Sequence, residues 1–137
     1  MRSLHRAAFL VFAGFAAVAN AQEEPVPAPR ARPILPFIED DYGKALAEAR
    51  ARNLPLFVEA WAPWCHTCRS MRAYVFTDRT LSGRARQFVW LSIDTDKKGS
   101  APFLAKFPVE AWPTLFVVDP GTEKAVLRFV GGASVGQ

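Results

Sequence analysis

Both cysteines of the 137-residue chain, Cys65 and Cys68, lie in the segment WAPWCHTC with two residues between them. A disulfide across so short a loop removes little entropy from the unfolded chain and therefore adds little stability. The same spacing suits reversible exchange, in which one thiolate attacks a partner disulfide and the second thiol resolves the mixed disulfide. The pair therefore indicates redox chemistry more than a structural cross-link.

The two cysteines are expected to have different roles, because a strand pattern ends just before Cys65 and a helix pattern follows it. At a helix start the first N–H groups lack partners and the dipole is positive, so a thiolate there is stabilised and its pKa falls below about 8.5. Cys65 is the predicted nucleophile and Cys68, deeper in the first turn, the resolving thiol. A protonated His66 and the Thr67 hydroxyl would favour the reduced form and make the pair more oxidising.

Metal and haem sites fit these residues less well. A structural zinc site normally takes four Cys or His ligands, whereas the segment offers two thiols and His66. Haem attachment through C-x-x-C-H needs a histidine where this chain has Arg69. A metal carrier using both thiols and an inert disulfide stay open as alternatives at this point, and no cofactor is predicted.

The N-terminus predicts export. Residues 1–21 combine a short basic start, the apolar run AAFLVFAGFAAV and an A-x-A pattern ending at Ala21. This is the layout of a secretory signal peptide, and the run is shorter than the roughly 20 apolar residues of a membrane-spanning helix. Disulfides persist outside the cytosol. We therefore expect a periplasmic or secreted protein, with membrane contact only if the signal segment is retained.

The composition suits one domain with one core, since half of the residues are hydrophobic. The net charge of +4 is mild and no run of Lys and Arg occurs, which argues against a nucleic-acid partner. Residues 22–36 contain five prolines and predict an extended linker rather than core. The remaining residues, 37–137, are the predicted domain.

Hydrophobic periodicity predicts helices that alternate with strands. The predicted helices are residues 40–53, 65–76 and 100–107, with a short helical segment at 78–88, and the predicted strands are 56–61, 89–94, 114–119 and 124–130. Such alternation implies a mostly parallel sheet covered on both faces, to which the closing hairpin adds an antiparallel edge. The predicted fold class is α/β with a central mixed sheet and flanking helices.

The segments FVEAWAPWCHTC, WPTLFVVDPGTE and FVGG together resemble the thioredoxin family over residues 37–132. The run CRSMRAYVFTD is most similar to the thioredoxin-like domains that end periplasmic, membrane-bound thiol-disulfide interchange transporters. The resemblance implies a thioredoxin-like fold and thiol-disulfide oxidoreductase activity without a cofactor. It also implies protein partners that carry disulfides or dithiols, and a redox partner that resets the cysteine pair.

The resemblance also implies roles for residues outside the cysteine motif. Pro113 matches the family's cis-proline opposite the cysteines, where the backbone pairs with substrate peptide, and Trp112 before it would touch the partner. Glu59 matches a buried acidic residue whose raised pKa would let it exchange protons with Cys68, although the family more often has Asp there. Trp64 and Trp112 would form an apolar rim that grips extended partners.

Two features depart from thioredoxins proper. His66 and Thr67 replace the family's Gly-Pro between the cysteines, and Ala73 stands where the following helix has a proline. The family also adds a helix after its final Gly pair, whereas this chain stops five residues after Gly132. We therefore expect the C-terminal helix to be missing: either the sequence is a fragment of a longer chain, or one sheet face is left open or covered by a partner.

These patterns together favour an exported thiol-disulfide oxidoreductase. The alternatives are a specialised reductant of apocytochrome thiols for haem attachment and a redox-inert binding module built on the same fold. The direction of electron flow stays open, because His66 favours an oxidising pair whereas the resemblance is to reductant donors.

Overall fold

The structure is a computed structural model that describes residues 34–137. The predicted signal peptide, residues 1–21, and most of the predicted linker, residues 22–36, lie outside the described residues. Within the described range, no helix combines the length and the apolar character needed to cross a membrane.

Strands and helices alternate along the described chain. The strands are β1 (Phe37–Glu39), β2 (Leu56–Trp61), β3 (Val89–Asp94), β4 (Thr114–Asp119) and β5 (Lys124–Val130), and the α-helices are α1 (Tyr42–Arg52), α2 (His66–Ser70) and α3 (Ala101–Lys106). One π-helical turn (Met71–Val75) continues α2, and 3₁₀ segments occupy Arg79–Arg84 and Lys98–Ser100. The four predicted strands are confirmed with their predicted bounds.

The five strands form one mixed sheet in the order β1-β3-β2-β4-β5. β1, β3 and β2 are parallel, whereas β4 is antiparallel to β2, and β5 is antiparallel to β4. This confirms the predicted fold class. β1 was not predicted, because three residues beside a proline-rich stretch are too short to show an alternating pattern.

One face of the sheet is covered by α1 and α3. Alternate residues of β2, namely Leu56, Val58 and Ala60, are buried on this face. Phe103 of α3 meets Phe116 of β4 edge-to-face, with 5.8 Å between the ring centroids. Burying one such aromatic side chain stabilises the fold by about 1.5–3 kcal/mol. This layer therefore contributes to holding β2 and β3 in the core.

The opposite face packs against the helix that follows the cysteines. Met71 and Phe76 bury Trp90 of β3 and Leu115 of β4 on this side. Leu35 joins the same cluster and is only 2 % exposed. Leu35, near the C-terminal end of the stretch expected to be linker, therefore packs with the core, because an apolar side chain next to an aromatic cluster gains more from burial than from hydration.

The far edge of the sheet is less covered. Residues 131–137, which follow β5, form no helix. Val126, Leu127 and Val130 of β5 are each more than half exposed.

Gly131 and Gly132, which follow β5, contact the Pro113 backbone and α2. Gly131 has a φ of 104°, a conformation that favours glycine, and its N–H donates to the Pro113 carbonyl at 2.8 Å. A Cβ on Gly132 would lie 2.8 Å from Cγ2 of Thr67. Position 132 therefore has no room for a side chain while Thr67 holds its place in α2.

The substitution Gly132→Ala is expected to lower the free energy of unfolding by about 1–3 kcal/mol, because the new methyl group overpacks this contact. In a Thr67→Ala background most of that cost should disappear, since the clashing methyl group is gone. Urea denaturation of the four proteins measures the coupling. Gly83→Ala is the control, because a Cβ there meets nothing within 4 Å, and an equal cost of Gly132→Ala in both backgrounds would contradict the contact.

Candidate active site

The two cysteines form a disulfide at the start of α2. Cys65 is the N-cap residue, with extended backbone, and its Sγ accepts a hydrogen bond from the Cys68 N–H at 3.1 Å. Cys68 is fully buried, whereas Cys65 remains 6 % exposed. The same N–H and the helix dipole would favour a thiolate on Cys65 after reduction.

The cis-proline loop lies against the cysteines. The Trp112–Pro113 peptide bond is cis, as the family resemblance implies. Trp112 packs on the small cluster formed by Ala62 and the two cysteines. The predicted substrate-contacting residue is thus brought next to the disulfide, although it is separated from it by more than forty positions in the sequence.

Two tryptophans form an aromatic surface beside the disulfide. The rings of Trp64 and Trp112 meet edge-to-face with 5.0 Å between their centroids, and Trp64 is 57 % exposed. Each indole N–H is bound by the loop after β3: Trp112 donates to the Thr95 hydroxyl at 2.8 Å and Trp64 to the Asp96 carboxylate at 3.0 Å. These four residues are called the tryptophan platform below.

Sequence reasoning missed Thr95 and Asp96. Thr95 also donates its N–H and its hydroxyl to the Trp61 carbonyl at the end of β2. The signal that could have identified both residues is their position directly after a strand that runs parallel to β2. The carboxyl ends of parallel strands meet at one edge of the sheet.

Glu59 is fully buried in the middle of β2, on the sheet face that α2 covers. Its Oε2 lies 3.1 Å from Nη1 of Arg72 and accepts from the Ser92 hydroxyl at 3.3 Å, while Oε1 has no hydrogen-bond partner among the described residues. Burial raises the pKa of Glu59 to about 7, although the Arg72 guanidinium and the Ser92 hydrogen bond oppose the shift. The expectation of a buried carboxyl with a raised pKa is confirmed.

Arg72 was also missed by sequence reasoning. It lies in the π-helical turn that contains Ala73, the position where thioredoxins have a proline, and π-helical turns are frequent at functional sites. The available signal was spacing, since Arg72 follows Cys68 by four residues and such positions share a helix face.

His66 and Thr67, the two residues between the cysteines, are exposed in the first turn of α2. Across residues 34–137, no group of three or more His, Cys, Asp and Glu side chains is arranged to hold a metal ion.

Comparison with known proteins gives the same picture as the fold. Residues 37–120 match the family model described as Thioredoxin-like. The thiol:disulfide interchange protein DsbD of Pseudoalteromonas atlantica is 30% identical over 95 residues, which cover 67% of this chain and 16% of that protein. The chain thus spans less than one fifth of the length of the DsbD relatives it matches.

Two solved structures show the same fold at lower identity. A thioredoxin from Thermus thermophilus superposes with a TM-score of 0.64 at 24% identity, covering 74% of this chain and 79% of that one. The oxidised C-terminal domain of DsbD from Neisseria meningitidis gives 0.57 at 17% identity, covering 68% and 82%.

The mixed sheet and the cysteine pair at a helix start are those of a thioredoxin-like domain. The chain belongs to the thioredoxin-like family.

The raised pKa of Glu59 predicts how stability depends on pH. The folded state binds this proton more tightly than the unfolded state, whose carboxyl has the ordinary value of 4.5. The stabilisation is therefore fully present below pH 4.5 and is lost as the pH rises to about 7, by about 3 kcal/mol in total. Glu59→Gln should remove this decline, because the amide does not titrate.

Urea denaturation of the oxidised protein at pH 5 and pH 8 measures the effect. The decline in the free energy of unfolding between the two pH values should be smaller for Glu59→Gln than for wild type. Glu48→Gln, at an exposed position on α1, should behave like wild type. If Glu59→Gln and wild type declined equally, the carboxyl would not carry a raised pKa.

Proposed function

We propose that the protein is an exported thiol-disulfide oxidoreductase that exchanges the Cys65–Cys68 pair with protein substrates. The observation that carries this proposal is the asymmetry of the pair: Cys65 caps the start of α2 and is 6 % exposed, whereas Cys68 lies in the first turn and is fully buried. This is the arrangement that nucleophilic attack and intramolecular resolution require.

In the reducing direction, the Cys65 thiolate attacks one sulfur of a substrate disulfide and the other substrate sulfur leaves as a thiolate. Cys68 then loses its proton and attacks Sγ of Cys65. The second substrate sulfur leaves, the Cys65–Cys68 disulfide forms, and two electrons have passed to the substrate. The oxidising direction is the reverse of these steps. His66 and Thr67 tune the balance between them by stabilising the thiolate of Cys65.

Glu59 is the proposed acceptor and donor of the Cys68 proton. A group gains and loses protons most readily when its pKa lies near the working pH, and burial brings the pKa of Glu59 to about 7. The carboxyl also contacts Arg72, which follows Cys68 by four residues in the same helical segment.

The tryptophan platform and the Pro113 backbone are the proposed substrate-binding surface. Trp64 and Trp112 present aromatic rings beside the disulfide, and such rings suit extended, apolar segments of a protein partner. An extended peptide can add main-chain hydrogen bonds like an extra strand. A second redox protein must return the pair to its starting state after each turnover.

Export is proposed from the layout of residues 1–21, whose basic, apolar and small-residue segments are those of a secretory signal peptide. A periplasmic or extracellular location would also let the disulfide persist between turnovers.

In an assay with dithiothreitol as the reductant, Cys65→Ser should abolish catalysis of insulin disulfide reduction. The catalysed rate should fall at least about a hundredfold. Cys68→Ser should retain the first attack and accumulate a mixed disulfide with the substrate, because resolution is lost. Turbidity measures the first effect and non-reducing electrophoresis the second. If wild type and Cys65→Ser both gave only the rate of dithiothreitol alone, the protein would instead be a redox-inert binding module.

Thr95→Val should raise KM for a protein disulfide about fivefold, since the Trp112 indole loses one hydrogen bond worth about 1 kcal/mol. The rate with a small disulfide such as oxidised dithiothreitol should stay unchanged, because it needs no aromatic surface. Thr95→Ser keeps the hydroxyl and is the matched control. Equal changes in the two assays would place Thr95 in the redox step and not in substrate binding.

A further inference from the structure

Arg72 connects the buried carboxyl of Glu59 to the surface. One guanidinium nitrogen, Nη1, contacts Glu59 and donates to the Ser92 hydroxyl, while Nη2 lies 3.2 Å from the Glu39 carboxylate. The guanidinium carbon lies 4.1 Å from the centroid of the Trp61 ring. The side chain is 30% exposed, whereas that of Glu59 is fully buried. Arg72 is therefore held in one orientation, between the core and the solvent.

The elements around Glu59 supply few other charges. β1 contributes Glu39, whose carboxylate opposes ionisation of Glu59. β3 contributes the neutral Ser92 and β4 the apolar Leu115. The positive charge beside Glu59 therefore comes from Arg72, and arginine keeps its charge at every relevant pH.

A cavity of about 190 Å³ adjoins this ion pair. Glu39, Glu59 and Arg72 contribute its polar lining, and Leu35 and Phe76 belong to its apolar wall. A space of this volume with polar groups can hold water. A second, shallow surface depression is lined by Trp61, Arg69 and Arg72.

We propose that Arg72 is the positioning residue of the Glu59 proton relay: it orients the carboxyl and stabilises its ionised form, and the cavity beside Glu39 is where the proton exchanges with water. The catalytic part of this inference rests on the proposed function. Burial alone would keep the carboxyl protonated, and a group that never ionises cannot accept the proton that Cys68 must lose.

The ion pair can be tested without enzymatic activity. In the full chain with ¹³C-labelled glutamate, wild type should show one carboxyl signal that titrates with a midpoint near 7. Arg72→Gln, which keeps hydrogen-bond donors but loses the charge, should move that midpoint upward and lower the ionised fraction at neutral pH about tenfold. Arg72→Lys should largely restore it.

Arg69→Gln is the matched control, because it removes a cation from the same helical segment at a position with no ion pair among the described residues. Its midpoint should equal that of wild type. An unchanged midpoint in Arg72→Gln would overturn the proposal, and so would equal shifts in Arg69→Gln and Arg72→Gln. Because this titration uses the oxidised protein, its outcome does not depend on whether the Cys65→Ser experiment supports the redox function.

The kinetic consequence is a shift in a pH profile. For the resolution of a preformed mixed disulfide on Cys65, the first-order rate constant should show an inflection near the Glu59 midpoint, and Arg72→Gln should move that inflection by the same amount. If the carboxyl midpoint moved and the rate profile did not, Arg72 would control Glu59 but the relay through Glu59 would be excluded. The exchange at Cys65 itself would then still stand.

Discussion

The active site depends on one hydrogen bond, from the Cys68 N–H to the Cys65 sulfur. Helices usually satisfy their first N–H groups with an oxygen of Ser, Thr, Asp or Asn. Here a sulfur occupies that position, so the atom that caps α2 is also the atom proposed to react. The same hydrogen bond therefore caps the helix and would stabilise the Cys65 thiolate. A displacement of α2 that breaks it would change the reactivity of Cys65 as well as the helix start.

The sheet keeps α2 in place from several directions. β2 ends at Trp61, whose carbonyl is bound by Thr95 at the end of the neighbouring β3. The antiparallel β4 begins just after Trp112 and Pro113, and Trp112 packs on the cysteines. Gly132, two residues after the end of β5, lies against Thr67. The ends of β2, β3 and β5 and the start of β4 thus lie at the same edge of the sheet as the disulfide.

The buried carboxyl of Glu59 lowers stability when it ionises, but it suits the proposed proton relay. A carboxyl buried at the centre of the sheet costs stability whenever it ionises, and an apolar residue at position 59 would pack without that cost. Arg72 reduces the penalty without removing it, because the pKa of Glu59 still lies near 7. Such partial compensation keeps both protonation states accessible, as a proton relay needs.

The sequence by itself determined the strands from β2 to β5 and the cysteine pair, because alternation, apolar runs and spacing are local properties of the chain. It did not reveal β1, the burial of Leu35 or the contacts of Arg72 and Thr95. Those depend on segments that are distant in sequence and meet only when parallel strands align their ends. The pKa of Glu59 depended on both the sequence and the fold. The sequence supplied the carboxyl, whereas the desolvation that raises its pKa and the guanidinium that opposes the shift exist only in the folded structure.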